Sequence, residues 1–175
     1  MKHALVVGGS GMLAKASLWL ADQQYLVSVI GRNVQKLNRL TQVSKNVNPI
    51  SVDYNNKNQL ASELQNCVKT YGAYEIVVAW IHHHEKQIID IIRSENRIDS
   101  HAEWRLFHVL GSGSNPDEMK REIGDIGNCV YHQVQLGYVM ENNRSRWLTH
   151  DEISDGVINA IRTNAKQYFV GIFKH

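Results

Sequence analysis

Two prolines and two cysteines in 175 residues exclude several kinds of protein at once. No proline-rich linker divides the chain, and no internal repeat or low-complexity tract interrupts it. Cys67 and Cys129 form no C-x-x-C pair and sit at no metal-ligand spacing. Structural thiols in a reducing compartment are the expectation, not a disulfide framework. Long apolar runs are missing too. Stretches such as "IVVAWI" (76–81) are far too short to span a bilayer. Met1-Lys2-His3 leads straight into a strand pattern with no signal-peptide core. A cytoplasmic protein with no membrane partner is expected. Charge of one sign is also lacking: 19 Lys and Arg face 17 Asp and Glu, for a net +2. The basic residues are spread, so no nucleic-acid partner is expected.

What remains is ordinary for a globular protein, with 43% hydrophobic and 21% charged residues. The length suits a single domain over residues 1–175. Strand and helix signals alternate along it. "HALVVGG" reads as a buried strand and "MLAKASLWLADQQ" as a helix. "YLVSVIG" is a second strand, and "NVQKLNRLTQ" a helix capped by Asn33. "NPISVDY" is a third strand, followed by the helix "NKNQLASELQNCVKTYG", which stops near Gly72. "YEIVVAWI" is a fourth strand, "EKQIIDIIRSE" a helix and "WRLFHVLGS" a fifth strand. A weakly patterned polar segment precedes a sixth, "NCVYHQVQLG". "THDEISDGVINAIRTN" is a helix opened by a Thr149–Glu152 capping box, and "QYFVGIF" a seventh strand. Strands separated by helices imply an α/β fold: a doubly wound parallel sheet of the Rossmann type. Its ligand belongs at the carboxyl ends of the strands.

The turn "GGSGMLA" after the first strand is the main candidate site. Gly8 permits a tight turn, and Gly11 lets the backbone approach a pyrophosphate. Ala14 is small enough for the helix to pack on the strand. The pattern G-x-x-G-x-x-A is a variant of the dinucleotide fingerprint, with Gly9, Ser10, Met12 and Leu13 completing the turn. The helix N-terminus behind it favours an anion. The alternative is a glycine-rich bend with no ligand. The end of the second strand bears on the choice. It reads "VIGRN", with no acid to hold a ribose diol and with Arg32 in its place. Arg32, helped by Asn33 and Lys36, can meet a 2′-phosphate, so NADP is favoured and NAD less so. The alternative is a solvated arginine at a helix start.

With these residues the chain resembles the short-chain dehydrogenase/reductase family over nearly its whole length. The likeness rests on "GGSGMLA", "GRN", "VDY", "VLGSGS" and "QLGYV". The resemblance implies a seven-stranded sheet in the order 3-2-1-4-5-6-7 with NADP(H) lying across it. It implies that Asp53 contacts the adenine ring, that Tyr54 flanks it and that Ala79 runs along the adenosine. The departures are specific. "VAWI" stands where the family has "NNAG". None of the seven tyrosines has a lysine four residues on, so the family's Tyr-x-x-x-Lys acid/base pair is absent. Residues 114–129 are too few for the family's long central helix. Ser112 and Ser114 fall where the family's catalytic serine lies, although "GSGSNP" also reads as a plain polar turn. Tyr138 is a candidate for the missing phenol, or else a packed aromatic.

"HHH" (82–84) cannot turn three adjacent side chains onto one ion, so no metal is expected. His82, or else His83, is a candidate general acid at the sheet's carboxyl end, against a solvated loop. His108 and His132 lie inside strands and read as core histidines with a partner. "ENNRSRWLTH" (141–150) reads as a polar, mildly basic connection, whose Arg144 and Arg146 either bind an anionic substrate or face water. "IIDIIRS" (88–94) covers the sheet, and contact in a homo-oligomer is an added reading of its apolar excess. Two functions follow from the residues. One is an NADP(H)-dependent oxidoreductase acting on a small carbonyl or hydroxyl substrate. The other is a non-catalytic NAD(P)H-binding sensor or interaction module. A bare Rossmann domain fits Arg32 and the glycine turn least.

Overall fold

The computed structural model describes residues 1–96 and 101–173. Its elements in chain order begin with β1 (Lys2–Val7), α1 (Ala14–Asp22), β2 (Tyr25–Gly31), α2 (Val34–Val43) and β3 (Val47–Ser51). Then come α3 (Lys57–Tyr71), β4 (Ile76–Trp80), α4 (Glu85–Glu95), β5 (Trp104–Leu110) and α5 (Pro116–Ile123). The chain closes with β6 (Cys129–Leu136), β7 (Tyr138–Glu141), β8 (Arg144–Trp147), α6 (His150–Thr163) and β9 (Gln167–Val170).

Seven strands make one sheet in the order β3-β2-β1-β4-β5-β6-β9, every neighbouring pair parallel. This is the expected order, with β9 as the seventh strand. Side chains alternate across each strand, and that alternation divides the core. Ala4 and Val6 of β1 face a layer built by α1, α2 and α6. Leu5 and Val7 face the layer of α3, α4 and α5. Both faces are covered, which is why β1, β4 and β5 are nearly continuous apolar runs. No helix of the described residues is long and apolar enough to cross a membrane.

Two stretches fold differently from their reading as connections. "ENNRSRWLTH" is the turn and second strand of an antiparallel hairpin, β7–β8. Its tip, Asn142 and Asn143, has φ of 51° and 61°. Two adjacent left-handed residues make the two-residue turn that matches strand twist, and asparagine tolerates that region well. The polar segment before β6 holds the two-turn helix α5. Asn115 caps it by accepting from Asp117 and Glu118 N–H, and Pro116 opens its first turn.

Candidate functional site

The first site grows from the end of β1. Gly8 has φ +80°, and its N–H donates to the Ile30 carbonyl at 3.1 Å. A Cβ there would stand 3.1 Å from the Trp80 carbonyl oxygen. Left-handed backbone and close approach together require glycine. Gly9 is a packing residue: a Cβ would lie 2.6 Å from Val6 Cγ1 and 2.8 Å from Ser17 Oγ. At Gly11 a Cβ would meet nothing within 4 Å. The turn is therefore tight behind and open in front.

Helix α1 follows with no side-chain cap of its own and no acid in its first turn. Its cap comes from α6. Buried Ser154 donates from Oγ to the Met12 carbonyl at 2.8 Å and accepts from Ala16 N–H at 3.2 Å. Lys15 also pairs with Asp155 of α6 at 2.8 Å.

In front of the turn lies a cleft of about 280 Å³ along the carboxyl ends of β1 to β4. Gly8, Ser10, Gly11 and Met12 form one wall; Gly31, Arg32, Asn33 and Lys36 form another. Val52 and Tyr54 after β3, and Trp80 and His82 at β4, complete it. Among the described residues, no lining residue is acidic. Asn33 caps α2 by accepting from Lys36 N–H at 3.0 Å, so the positive end of that helix also faces the cleft. Arg32 is exposed, with Asp53 Oδ2 at 4.0 Å, a separation at which an exposed pair holds the guanidinium only weakly. The donor set suits a phosphate-bearing ligand.

Of the residues expected at the cofactor, Gly8, Ser10, Gly11, Met12, Arg32, Asn33 and Tyr54 share this cleft. Asp53 stands beside it, its Oδ1 accepting from Asn55 N–H at 2.9 Å. Gly9 and Leu13 are buried behind the turn. Ala79 is fully buried in the layer of α3 and α4 and does not line the cleft. Strand alternation sends Ala79 one way and Trp80 the other.

His82 belongs to this cleft. Its Nε2 accepts from Trp80 Nε1–H at 3.1 Å, and its backbone N–H donates to the Tyr54 hydroxyl at 3.2 Å.

A second cavity, about 410 Å³, lies further along the carboxyl edge. Ser112, after β5, lines it together with Gly137, Tyr138, Ser145, Arg146, Trp147 and Phe173. Buried Gln135 of β6 fixes the Ser112 turn by donating from Nε2 to the carbonyls of Gly111 and Ser114, both at 3.0 Å. Tyr138 is held at backbone level by Ile172: its N–H donates at 3.0 Å and its carbonyl accepts at 2.8 Å. Arg146 is paired with two carboxylates. It donates to Glu141 at 2.6 Å and to Glu152 at 2.8 and 3.1 Å, tying the hairpin to α6. Those bonds raise the Arg146 pKa. Arg146 and the Thr149 N–H in turn hold the Glu152 carboxyl below the usual carboxylate range. Ser112 and Tyr138 thus share one cavity, while His82 lines the other.

His108 and His132 are core residues. His108 Nδ1 meets the Tyr131 hydroxyl at 2.8 Å, and burial pushes its pKa down to about 4. His132 stacks on Phe107, with ring centroids 4.3 Å apart, and its Nδ1 bonds the Ala165 carbonyl at 2.7 Å. Sequence reasoning missed Trp80, Gln135 and Ser154. Only Gln135 left a signal: Tyr131, Gln133 and Gln135 recur at every second position of β6, a polar stripe on a buried strand.

No family profile matches the sequence, and no curated protein matches it. Solved structures match it closely in shape. A chain from Aeromonas hydrophila, assigned to the short-chain dehydrogenase/reductase family, superposes with a TM-score of 0.72 at 15% identity, covering 100% of both chains. A variant of a Serratia marcescens short-chain dehydrogenase/reductase gives 0.70 at 15% identity, over 98% of this chain and 96% of that one. A metagenomic short-chain oxidoreductase in complex with NADP gives 0.62 at 15% identity, over 99% and 96%. The sheet order, the layers and these superpositions agree: the chain has the fold of the short-chain dehydrogenases/reductases.

Proposed function

We propose that the chain is a cytoplasmic NADP(H)-binding oxidoreductase of the short-chain dehydrogenase type, acting on a small carbonyl or hydroxyl substrate. The observation that carries this reading is that Ser112 and Tyr138 line one cavity beside the phosphate-suited cleft, on the same edge of the sheet. The turn at Gly8–Met12 would hold the pyrophosphate, and Arg32 and Lys36 the 2′-phosphate. NADP(H), when bound, supplies or accepts the hydride. Ser112 would hydrogen-bond the substrate oxygen, and the Tyr138 phenol would exchange the proton with it. Trp147 and Phe173 give the cavity an apolar wall, which suits an uncharged substrate. The free thiols Cys67 and Cys129 fit a reducing compartment.

The second reading, a nucleotide-binding sensor without turnover, is favoured by one observation: among the described residues, no lysine lines the Tyr138 cavity. Calorimetric titration with NADPH and NADH, followed by NADPH oxidation on a panel of carbonyls, separates the two. Tyr138→Phe should lower turnover about 100-fold and leave NADPH affinity unchanged. Tight NADPH binding with no turnover on any carbonyl would establish the sensor. Binding of neither nucleotide would sink both readings.

A further inference from the structure

The two cavities lie on one edge of the sheet, yet among the described residues they share no lining residue. Between them stands Trp80, at the end of β4. Its indole runs from Gly8 to Gly111. A Cβ at Gly8 would lie 3.4 Å from Cδ1, and one at Gly111 would lie 3.6 Å from Cη2. Gly8 follows β1 and Gly111 follows β5, the two neighbours of β4. The ring therefore bridges three strand ends. It is also tied down, because Nε1–H donates to His82, whose backbone N–H donates to the Tyr54 hydroxyl.

A dinucleotide in this fold lies across the strand ends, with its phosphates at the glycine turn. To reach Ser112 and Tyr138 from there, its second half has to pass the indole. We propose that Trp80 is a gate between the two cavities. In the state described, the first cleft takes the adenosine half of the cofactor alone. The nicotinamide half enters when the indole swings out and its bond to His82 breaks. This inference rests on the nucleotide reading given above. It makes the ligand of the closed state an adenosine phosphate carrying a 2′-phosphate, and it makes Trp80 the residue that decides between half and whole cofactor.

The energetic consequence is a tax on the whole cofactor only. If the open state is populated at about one part in ten, apparent NADPH affinity falls about tenfold, and affinity for the half cofactor does not. The experiment titrates adenosine 2′,5′-bisphosphate and NADPH by calorimetry against the wild type, Trp80→Ala and His82→Phe. The wild type should bind the two ligands within about threefold of each other. Trp80→Ala should raise the affinity for NADPH relative to the bisphosphate about tenfold over the wild type. His82→Phe keeps the indole and removes its tie, so its NADPH affinity should rise severalfold in the same direction. A cooperative thermal unfolding transition in each variant, at a temperature close to that of the wild type, shows that it is folded. A preference for NADPH over the bisphosphate that stays the same or falls in Trp80→Ala overturns the gate, and the indole is then a platform beneath the cofactor. If neither ligand binds the wild type, the nucleotide reading itself fails and the gate with it.

Discussion

Lowering the pH from about 7.5 to about 5 should cost this fold about 2 kcal/mol at His108 alone. The imidazole is fully buried on β5, and burial lowers its pKa from 6.5 to about 4. Gln133 Nε2–H donates to the Tyr131 hydroxyl, which leaves that hydroxyl's proton for His108 Nδ1. Among the described residues, Nε2 then has no partner. The folded protein therefore refuses a proton that the unfolded chain accepts. The sign follows: stability is complete above pH 6.5, where both states are neutral, and declines as pH falls from 6.5 toward 4. The whole difference, about 3 kcal/mol, is reached only below the folded pKa; at pH 5 about 2 kcal/mol of it is gone. The assay is urea unfolding at both pH values for the wild type and His108→Asn, whose carboxamide oxygen can still accept from Tyr131. Burial also lowers His3 and His132, and both are present in both proteins, so their share cancels. The loss on acidification should be about 2 kcal/mol smaller in His108→Asn. An equal loss in the two proteins would refute the assignment to His108.

Arg32→Ala should reduce the preference for NADPH over NADH by about tenfold or more, the worth of one charge-assisted phosphate contact, and leave NADH affinity unchanged; parallel titrations check this, and an unchanged ratio counts against the 2′-phosphate assignment. Gly9→Ala should lower unfolding stability by about 1–3 kcal/mol, because its Cβ collides with Val6 and Ser17. Gly11→Ala should leave the melting temperature in place and weaken nucleotide binding, because its Cβ enters only the open cleft; a stability loss equal to that of Gly9→Ala would contradict the geometry. Arg146→Met should speed protease cleavage at Asn142–Asn143 while leaving the midpoint of global urea unfolding nearly in place, since the partly exposed pairs it breaks anchor the hairpin and not the core. Equal cleavage rates would show that the hairpin needs no such anchor.

The sheet was legible because its signals are local and redundant. The Thr149–Glu152 capping box, the Asn33 cap and the stop at Gly72 all stand where the residues put them. Burial on both faces made the central strands continuous apolar runs. The hairpin escaped because its tip is Asn-Asn, a weaker turn signal than Asn-Gly, and because β8 carries no apolar alternation. The α5 helix escaped for a similar reason. It is short and mostly exposed, with only Ile123 buried, so no apolar stripe announced it, although its Asn-Pro start did.

The two halves of the site differ in the same physical way. The proposed cofactor end is local chemistry: consecutive backbone groups and a helix start, which glycine spacing encodes directly. The second cavity is tertiary from the outset. Ser112 is aimed by a glutamine on the neighbouring strand, and Tyr138 is fixed by a chain segment 34 positions later. Ser154 inside a helix reads as a mild helix weakener until α6 is laid on α1, where it becomes the cap that α1 lacks. Trp80 reads as one more apolar strand residue until the glycines on either side of it are known to be its neighbours. A search for Tyr-x-x-x-Lys tests one helix for one spacing. Its failure therefore argues only against that helix, and the two residues proposed above for the substrate come from two separate turns of the sheet edge.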